Sequence, residues 1–518
     1  MENTREQVKY KSRSIIAVHG SKGGCGSSMV ASNLGIFLAQ IGKDVLLIDA
    51  NLSNGGLCHW LGQAQPEKNI ADVILKRVDK IADAVVDTSI TNLYLLASAP
   101  SLSFSELEKE NRIEQFIKQI ENVQSDYIII DLDSNVEKFT LDLYLLADYS
   151  ISVTLPMPDS IESTYNFISA AFTRGLLHIF SEEENSAVAS FFNDVSHGIY
   201  KTPRNIIDET DIFNKELALK IKRYAQLFHP LIIVNQVKLK EDEYIGDAMI
   251  SASTRWLGIV PILVGSIGWD DNVWLSQRRA KPLLINFSGS RACKDLEEIV
   301  RNITGLVYRD LITPFVIPPK TEVQNYYELL EIYPGASEEE VRRAYKQIKT
   351  WFGIDGIAVR GLCPEKERTE FQKLADFAHS QLVDKSKRRK YDKDNFPNGF
   401  SVTGDSDIKP RESIAGKVAA THDSLPRIEL AEDQFVGGHF LGEIRKKHNV
   451  ELVDISNRAK IAVRYLQAIE EERYKDLPAA VFTRGFVTEF ARFLKIDSHR
   501  AASDFMTAYT EYFKKKRK

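Results

Sequence analysis

The sequence predicts an α/β domain built on a mostly parallel sheet flanked by helices, followed by two smaller all-helical modules. Three observations carry this. Between Ser14 and about Ile285, short β-branched or leucine-rich runs alternate with helical stretches. A glycine-rich turn, SKGGCGSS at 21–28, joins the first run to a helix. Beyond residue 325 the runs stop, and apolar residues recur at helical spacing in blocks parted by polar, Pro- and Gly-rich stretches.

The chain has 518 residues, more than one hydrophobic core usually supports. It is 43% hydrophobic and 27% charged with net charge −5, a soluble globular composition. No apolar run approaches the ~20 residues that span a bilayer, and MENTREQVKYKSRS lacks a secretion signal's apolar core, so a cytoplasmic location is expected. Cys25, Cys58, Cys293 and Cys363 form neither a CxxC pair nor a Cys/His spacing, so packed thiols and no structural metal are expected.

Taken in order, residues 1–13 read as a disordered lead-in. SIIAV (14–18), DVLLID (44–49), NLYLLA (92–97), YIIID (127–131), SISVTLP (150–156) and PLIIVN (230–235) lack two-fold polar alternation, as strands covered on both faces do. A polar, helical insertion at about 172–229 interrupts them, and the domain closes near 310. A linker with Pro314, Pro318 and Pro319 fills 311–324. A helical hairpin follows at 325–396, a flexible tether at 397–430, a helical module at 431–513 and a basic tail at 514–518. The tail reads as a solvated end, with an anionic surface such as a membrane as its second reading.

SKGGCGSS sits between a strand and a helix, where backbone N–H groups and a helix N-terminus point at phosphate. Gly23, Gly24 and Gly26 supply the conformations of an anion nest, and Lys22 precedes them. The loop resembles the deviant Walker A loop, KGGxGK[ST], of the MinD/ParA family of P-loop ATPases. VLLIDANLSNGGLCHWLG (45–62), YIIIDLDSN (127–135), ADYSISVTLPMPDSIESTYNFI (147–168) and LIIVNQV (231–237) extend the resemblance over most of 14–310, nearest to the FlhG-type regulators of flagellar number. The resemblance implies ATP and Mg²⁺ as ligands, with nucleotide binding itself left open. Lys22, Gly23, Gly24, Gly26, Ser27, Ser28, Asp49, Asp131 and Asn235 are the candidate nucleotide contacts, Asn235 at the adenine. Ser28 and Asp49 would hold the Mg²⁺. A homodimer in which Lys22 reaches the partner's phosphates is also implied.

Three departures decide the expected chemistry. Ser27 stands where the family has the lysine that bridges the β- and γ-phosphates, and a hydroxyl cannot replace that charge. Asn51 replaces a carboxylate that orients the attacking water, and an amide is a poor base. Asp133 adds negative charge where a Gly-Ala-Gly-like turn is usual. A pseudo-ATPase with no intact catalytic residue is therefore expected. The alternative is a slow ATP-dependent switch in which Lys22 does the work of both lysines. Cys25 reads as a valine-sized filler.

In the hairpin, Ser337 and Glu340 form a capping box. Val341, Ala344, Tyr345 and Ile348 make one apolar face, and Phe371, Leu374, Phe377, Ala378 and Leu382 the facing one. The block resembles a J-domain through YYELLEI, ASEEEVRRAY and LVDKSKRRKYD, but WFGIDGIAVRGLCPE lacks the His-Pro-Asp that stimulates Hsp70. Hsp70 is accordingly not the expected partner, and protein docking is. Residues 437–497 have helix-turn-helix cadence and resemble the RodZ cytoplasmic domain, which docks on a bacterial actin. Asn457, Lys460 and Arg464 are the candidate contacts to protein or, as the second reading, to DNA, where Glu470, Glu471 and Glu472 would repel phosphate. Together these resemblances imply a cytoplasmic adaptor, polar or membrane-peripheral, acting in flagellar or motility-machine positioning or cell-shape and division control. A DNA-binding transcriptional regulator is the further alternative.

Overall fold

The computed structural model describes residues 13–305, 325–396 and 435–515 apart from short gaps. Residues 1–12, 306–324, 397–434 and 516–518 lie outside the described residues, and with them most of the expected lead-in, linker, tether and tail. The chain divides into two compact units, 1–407 and 408–518.

In the first unit eight strands form one sheet in the order β3-β4-β2-β5-β1-β6-β7-β8. They are β1 (Ser14–Gly20), β2 (Val45–Ala50), β3 (Val86–Asp87), β4 (Leu93–Leu96), β5 (Tyr127–Leu132), β6 (Tyr149–Thr154), β7 (Leu231–Val237) and β8 (Ile262–Gly268). Every pairing is parallel except β3 with β4. The six apolar runs read from sequence are β1, β2, β4, β5, β6 and β7. β3 is too short to read as a run, and Gly265 and Ser266 interrupt β8.

The missing polar alternation has its reason in two buried faces. Ile15, Ala17, Leu46, Ile48, Ile128 and Ile130 point into one core layer, and Ile16, Val18, Val45, Leu47 and Ile129 into the other. Each such isoleucine, leucine or valine contributes roughly 1.5–3 kcal/mol on burial. The second layer is closed by α1 (Ser27–Gln40) and by the last helix of the sheet domain, Arg291–Gly305. The first is closed by α2 (Lys138–Leu146), the 23-residue α3 (Pro158–Phe180) and the insertion, which comprises α4 (Ser186–Ser196), α5 (Pro203–Phe213) and α6 (Lys215–Leu227). After β7 come α7 (Ile245–Ala252) and a π-turn, Ser253–Leu257; α8 (Arg291–Gly305) ends the sheet domain.

The hairpin belongs to this same unit. α9 (Glu338–Trp351) opens on the capping box: Glu340 N–H donates to Ser337 Oγ at 3.2 Å, and Ser337 N–H to the Glu340 carboxylate at 2.6 Å. α10 (Glu365–Val383) runs antiparallel to it, with Tyr345 stacked on His379 and Phe352 against Phe371. The facing stripe differs from the expected one. Ala375, Ala378 and Leu382 are buried, whereas Leu374 and Phe377 are 47% and 51% exposed, because the turn that meets α9 is centred on the alanines. α11 (Lys385–Asn395) follows, and its Arg388 reaches back to the Tyr327 hydroxyl at 2.9 Å.

The second unit contains α12 (Gly438–Lys447), α13 (Val463–Glu470), α14 (Ala480–Phe493) and α15 (Ser498–Lys515) around Leu441, Ile455, Leu466, Ile469, Phe490 and Phe505. α15 reaches Lys515, so the first two residues of the expected tail are helical. Asn457 and Lys460 lie outside the described residues, and Arg464 is in α13. The glutamates expected to repel phosphate have internal partners instead. Arg445 pairs with both carboxylate oxygens of Glu470 at 2.6 and 3.0 Å and donates to the Val450 carbonyl at 2.8 Å. Glu472 accepts from Gly438 N–H at 2.9 Å at the start of α12, and Glu471 pairs with Arg473 at 2.7 Å.

Arg445 and Glu470 are both buried, so removing one strands the other's charge. Glu470→Ala is expected to destabilise the second unit by about 3 kcal/mol. Arg445→Met with Glu470→Leu is expected to recover most of that loss, as read by urea unfolding.

Candidate nucleotide site

β1 ends at Gly20 and α1 begins at Ser27, so 21–26 must reverse the chain within one tight loop. Gly24 and Gly26 take φ of +82° and +95°, and a Cβ at Gly26 would sit 2.3 Å from Asn235 Nδ2. Asn235 holds this loop from β7. Its amide donates to the Cys25 carbonyl at 2.7 Å, and its Oδ1 accepts from Gln236 N–H at 2.8 Å. Gln236 Nε2 donates to the Gly24 carbonyl at 3.0 Å. From the other side, Ser21 and Ser160 share a hydroxyl hydrogen bond of 2.6 Å, and Lys22 Nζ pairs with Asp159 at 2.6 Å. The ammonium in turn holds the Asp159 carboxyl below its ordinary range. Ser27 Oγ lies inside the loop, 2.9 Å from where a Cβ on Gly20 would be. Cys25 is buried, and burial pushes its thiol up, as suits a filler rather than a nucleophile.

The opposite wall is acidic. Asp49 on β2 and Asp131 on β5 are register partners, and the two-residue period of a strand brings Asp133 to the same side. Asp49 accepts from Leu57 N–H at 3.0 Å and Asn51 N–H at 3.3 Å; Asp133 accepts from Ser53 N–H at 2.9 Å and Ser134 N–H at 2.7 Å. Neither oxygen of Asp131 meets a donor in hydrogen-bond geometry among the described residues, although the nearby Ser28 hydroxyl offsets part of its charge. Burial, augmented by the charge of Asp133, pushes Asp49 up to about 7. Asp131 is driven well above the carboxylate range by burial and then by Asp49.

Asn51 is engaged within its own loop. Its Oδ1 accepts from Asn54 N–H at 2.9 Å and its carbonyl from Ser98 Oγ at 2.7 Å, so it shapes the 51–56 loop that passes Ser28 at Gly56. The groups present therefore match the expected ligands unevenly. The positive-φ glycines and the start of α1 fit a phosphate, and the orphaned Asp131 beside Ser28 suits a cation. Nothing between Gly20 and Ser28 supplies the counter-charge for a γ-phosphate, since Lys22 is paired at the rim. Among the described residues no cluster of three or more His, Cys, Asp or Glu is arranged to hold a metal.

Asp159, Ser160 and Gln236 were not among the residues singled out by sequence. Gln236 adjoins Asn235, a visible cue, whereas the pairing of 21–22 with 159–160 has no signal in spacing.

Raised carboxyls keep protons in the folded chain that the unfolded chain releases near pH 4. Between about pH 4 and 7 the folded state binds more protons, so this pair makes stability fall as pH rises through that window. His19, buried against Phe167 and lowered to about 3, acts oppositely and loses stability as pH falls below 6.5. Asp131→Asn removes that residue's share of the first effect and leaves the second. Its melting temperature in Mg²⁺-free buffer should exceed the parent's by several degrees at pH 8, with the gap closing towards pH 5.

A helix-turn-helix domain model matches residues 440–501, and an AAA domain model matches 13–169. The septum site-determining protein MinD of Synechocystis is 32% identical over 149 residues, 27% of this chain and 53% of that protein. The sporulation initiation inhibitor protein Soj of Bacillus subtilis is 31% identical over 151 residues, 28% of this chain and 57% of that protein. The chain thus spans about half the length of these curated relatives. Among solved structures, MinD of Pyrococcus horikoshii complexed with Mg-ADP is 18% identical at a TM-score of 0.38, covering 56% of this chain and 95% of that one. The chain carries a MinD/ParA-type P-loop ATPase domain at its N-terminus and a helix-turn-helix domain near its C-terminus.

Proposed function

We propose that this protein is a docking scaffold built on a MinD/ParA-type domain that keeps the shape of the phosphate loop without phosphoryl transfer. The supporting observation is the charge balance. Ser27 stands at the lysine position, Lys22 is paired with Asp159, and Asp49, Asp131 and Asp133 are buried opposite. Phosphoryl transfer depends on positioned positive charge, and loss of one such group costs on the order of 10²–10³ in rate.

On this reading the J-like hairpin, lacking His-Pro-Asp, and the RodZ-like helix-turn-helix unit recruit proteins, and the P-loop domain docks on a partner or a second copy. Relatives that match the N-terminal part of the chain are named for septum-site determination and chromosome partitioning. A role in polar placement of flagella or motility machinery, or in cell shape and division, extends that to this chain. The cytoplasm or the membrane periphery is the proposed location; among the described residues no helix is long and apolar enough to cross a membrane.

The test is turnover by the purified full chain with Mg-ATP. No hydrolysis above the protein-free rate is expected, while Ser27→Lys should tighten Mg-ATP binding about tenfold through one charge-assisted contact, read by thermal shift. Hydrolysis at family-typical rates that Lys22→Ala abolishes would favour the slow switch instead.

DNA binding by residues 437–497 is the second reading, favoured by the internal engagement of Glu470, Glu471 and Glu472, which removes an obstacle to phosphate approach. It requires binding by the full chain that weakens steeply with salt and is lost in Lys460→Ala with Arg464→Ala. The scaffold reading expects neither.

A further inference from the structure

One helix, α3, grips both the glycine-rich loop and the hairpin, and two consecutive stretches of chain, β7 and the α7–π-turn segment after it, grip the loop and the hairpin respectively. The opening turn of α3 holds the loop through Asp159 to Lys22 and Ser160 to Ser21, both at 2.6 Å. Ser160 Oγ also accepts from Leu155 N–H at 2.8 Å, fixing that turn to the end of β6. Within the next two turns α3 meets the 353–364 loop of the hairpin. The Tyr165 hydroxyl donates to the Ala358 carbonyl at 2.6 Å, and both residues are buried. Gly361, at φ +80°, lies so close to Glu162 that a Cβ would be 2.5 Å from its Cγ. From Asp159 to Tyr165 is six residues of continuous helix, a rigid reach of about 9 Å.

The second connection begins at β7, whose Asn235 and Gln236 hold the Cys25 and Gly24 carbonyls. It continues through α7 into the π-turn. There Trp256 stands edge-on to Phe352 at 5.1 Å and Phe371 at 5.5 Å. Arg255 pairs with Glu331 at 2.9 Å and donates to the Leu329 carbonyl at 3.0 Å, and Ser251 hydrogen-bonds Glu331 as well. Ala252 and Trp256 share a buried cluster with Tyr327, Phe352 and Leu382, while Ala358 is buried in the core of the sheet domain. The hairpin is therefore packed into the ATPase-like domain along its 353–364 loop rather than held on a tether.

We propose that the hairpin is a cis-acting clamp on the glycine-rich loop: its 353–364 loop and the loop at 21–28 are energetically coupled through the first turns of α3, so that loosening either one loosens the other. The physical basis is packing. A close-packed contact between rigid elements has discrete arrangements, and a helix transmits a displacement of its first turn to its second. Any ligand or partner that draws Lys22 from Asp159 releases the first turn and weakens the hold on Ala358 and Gly361. Thermodynamic reciprocity then requires that a partner pulling on the hairpin change the affinity of the loop.

The coupling is tested on the full chain without nucleotide, by hydrogen exchange read by mass spectrometry, so it stands or falls separately from the scaffold reading. Asp159 is exposed, and Asp159→Asn should leave the fold intact while speeding exchange of the 353–364 amides about fivefold. Gly361→Val, which forces the hairpin loop off Glu162, should speed exchange at 21–28 by a similar factor. If Gly361→Val does not fold, Tyr165→Phe, which removes only the hydroxyl, takes its place. Exchange that changes only beside the substituted residue, in either direction, overturns the proposal.

Discussion

A parallel sheet with both faces covered has no wet side, and the first unit depends on that constraint. With Ile15 to Val18, Val45 to Ile48 and Ile128 to Ile130 buried in two opposed layers, polar groups can gather only at the strand ends. The carboxyl ends of β1, β2, β5 and β7 are where Ser21, Asp49, Asp131 and Asn235 converge. The glycine-rich loop is thus placed by topology before any of its own hydrogen bonds form. Retaining its shape needs the strands, the positive-φ glycines, the Asn235 and Gln236 contacts and the α3 contacts to Ser21 and Lys22, none of which requires phosphate.

Shape and charge consequently part company at this site. The backbone of 21–28 still presents an anion cradle, yet the buried charged side chains at the neighbouring strand ends are acids with no opposing lysine. The register that makes Asp49 and Asp131 neighbours fixes this conflict, because neither can turn from the other without leaving its strand. Proton uptake is one relief, and a bound cation is the other. The protein bears a standing electrostatic strain at the place where its relatives' type of domain handles nucleotide.

The sheet was legible because burial on both faces writes itself as uninterrupted apolar runs, and the glycine loop because positive φ selects glycine. β8 escaped because Gly265 breaks its run. The hairpin's helices were legible from Ser337 and Glu340 and from their periodicity. What faces them was not, since Phe371 is covered by Trp256, more than a hundred residues earlier in the chain. The same holds for charged residues. Nothing in AIEEER distinguishes Glu470, buried on Arg445, from Glu471, paired at the surface. Lys22 carried a role from resemblance, but its pairing with Asp159 links segments 137 residues apart, a relation that local pattern does not encode.

The hairpin's docking also sets an order of events at the ribosome. Tyr165 and Ala358 are 193 residues apart, and Trp256 leaves the exit tunnel well before Phe352 and Phe371. At roughly 5–20 residues per second, the indole waits on the order of 5–20 s for the rings that cover it. Within that interval β8 completes the sheet while the π-turn still lacks its cover, and an apolar ledge there faces solvent. A nascent chain of this design is most exposed to misassembly, and most accessible to holdase chaperones, in the stretch of synthesis between its last strand and its hairpin.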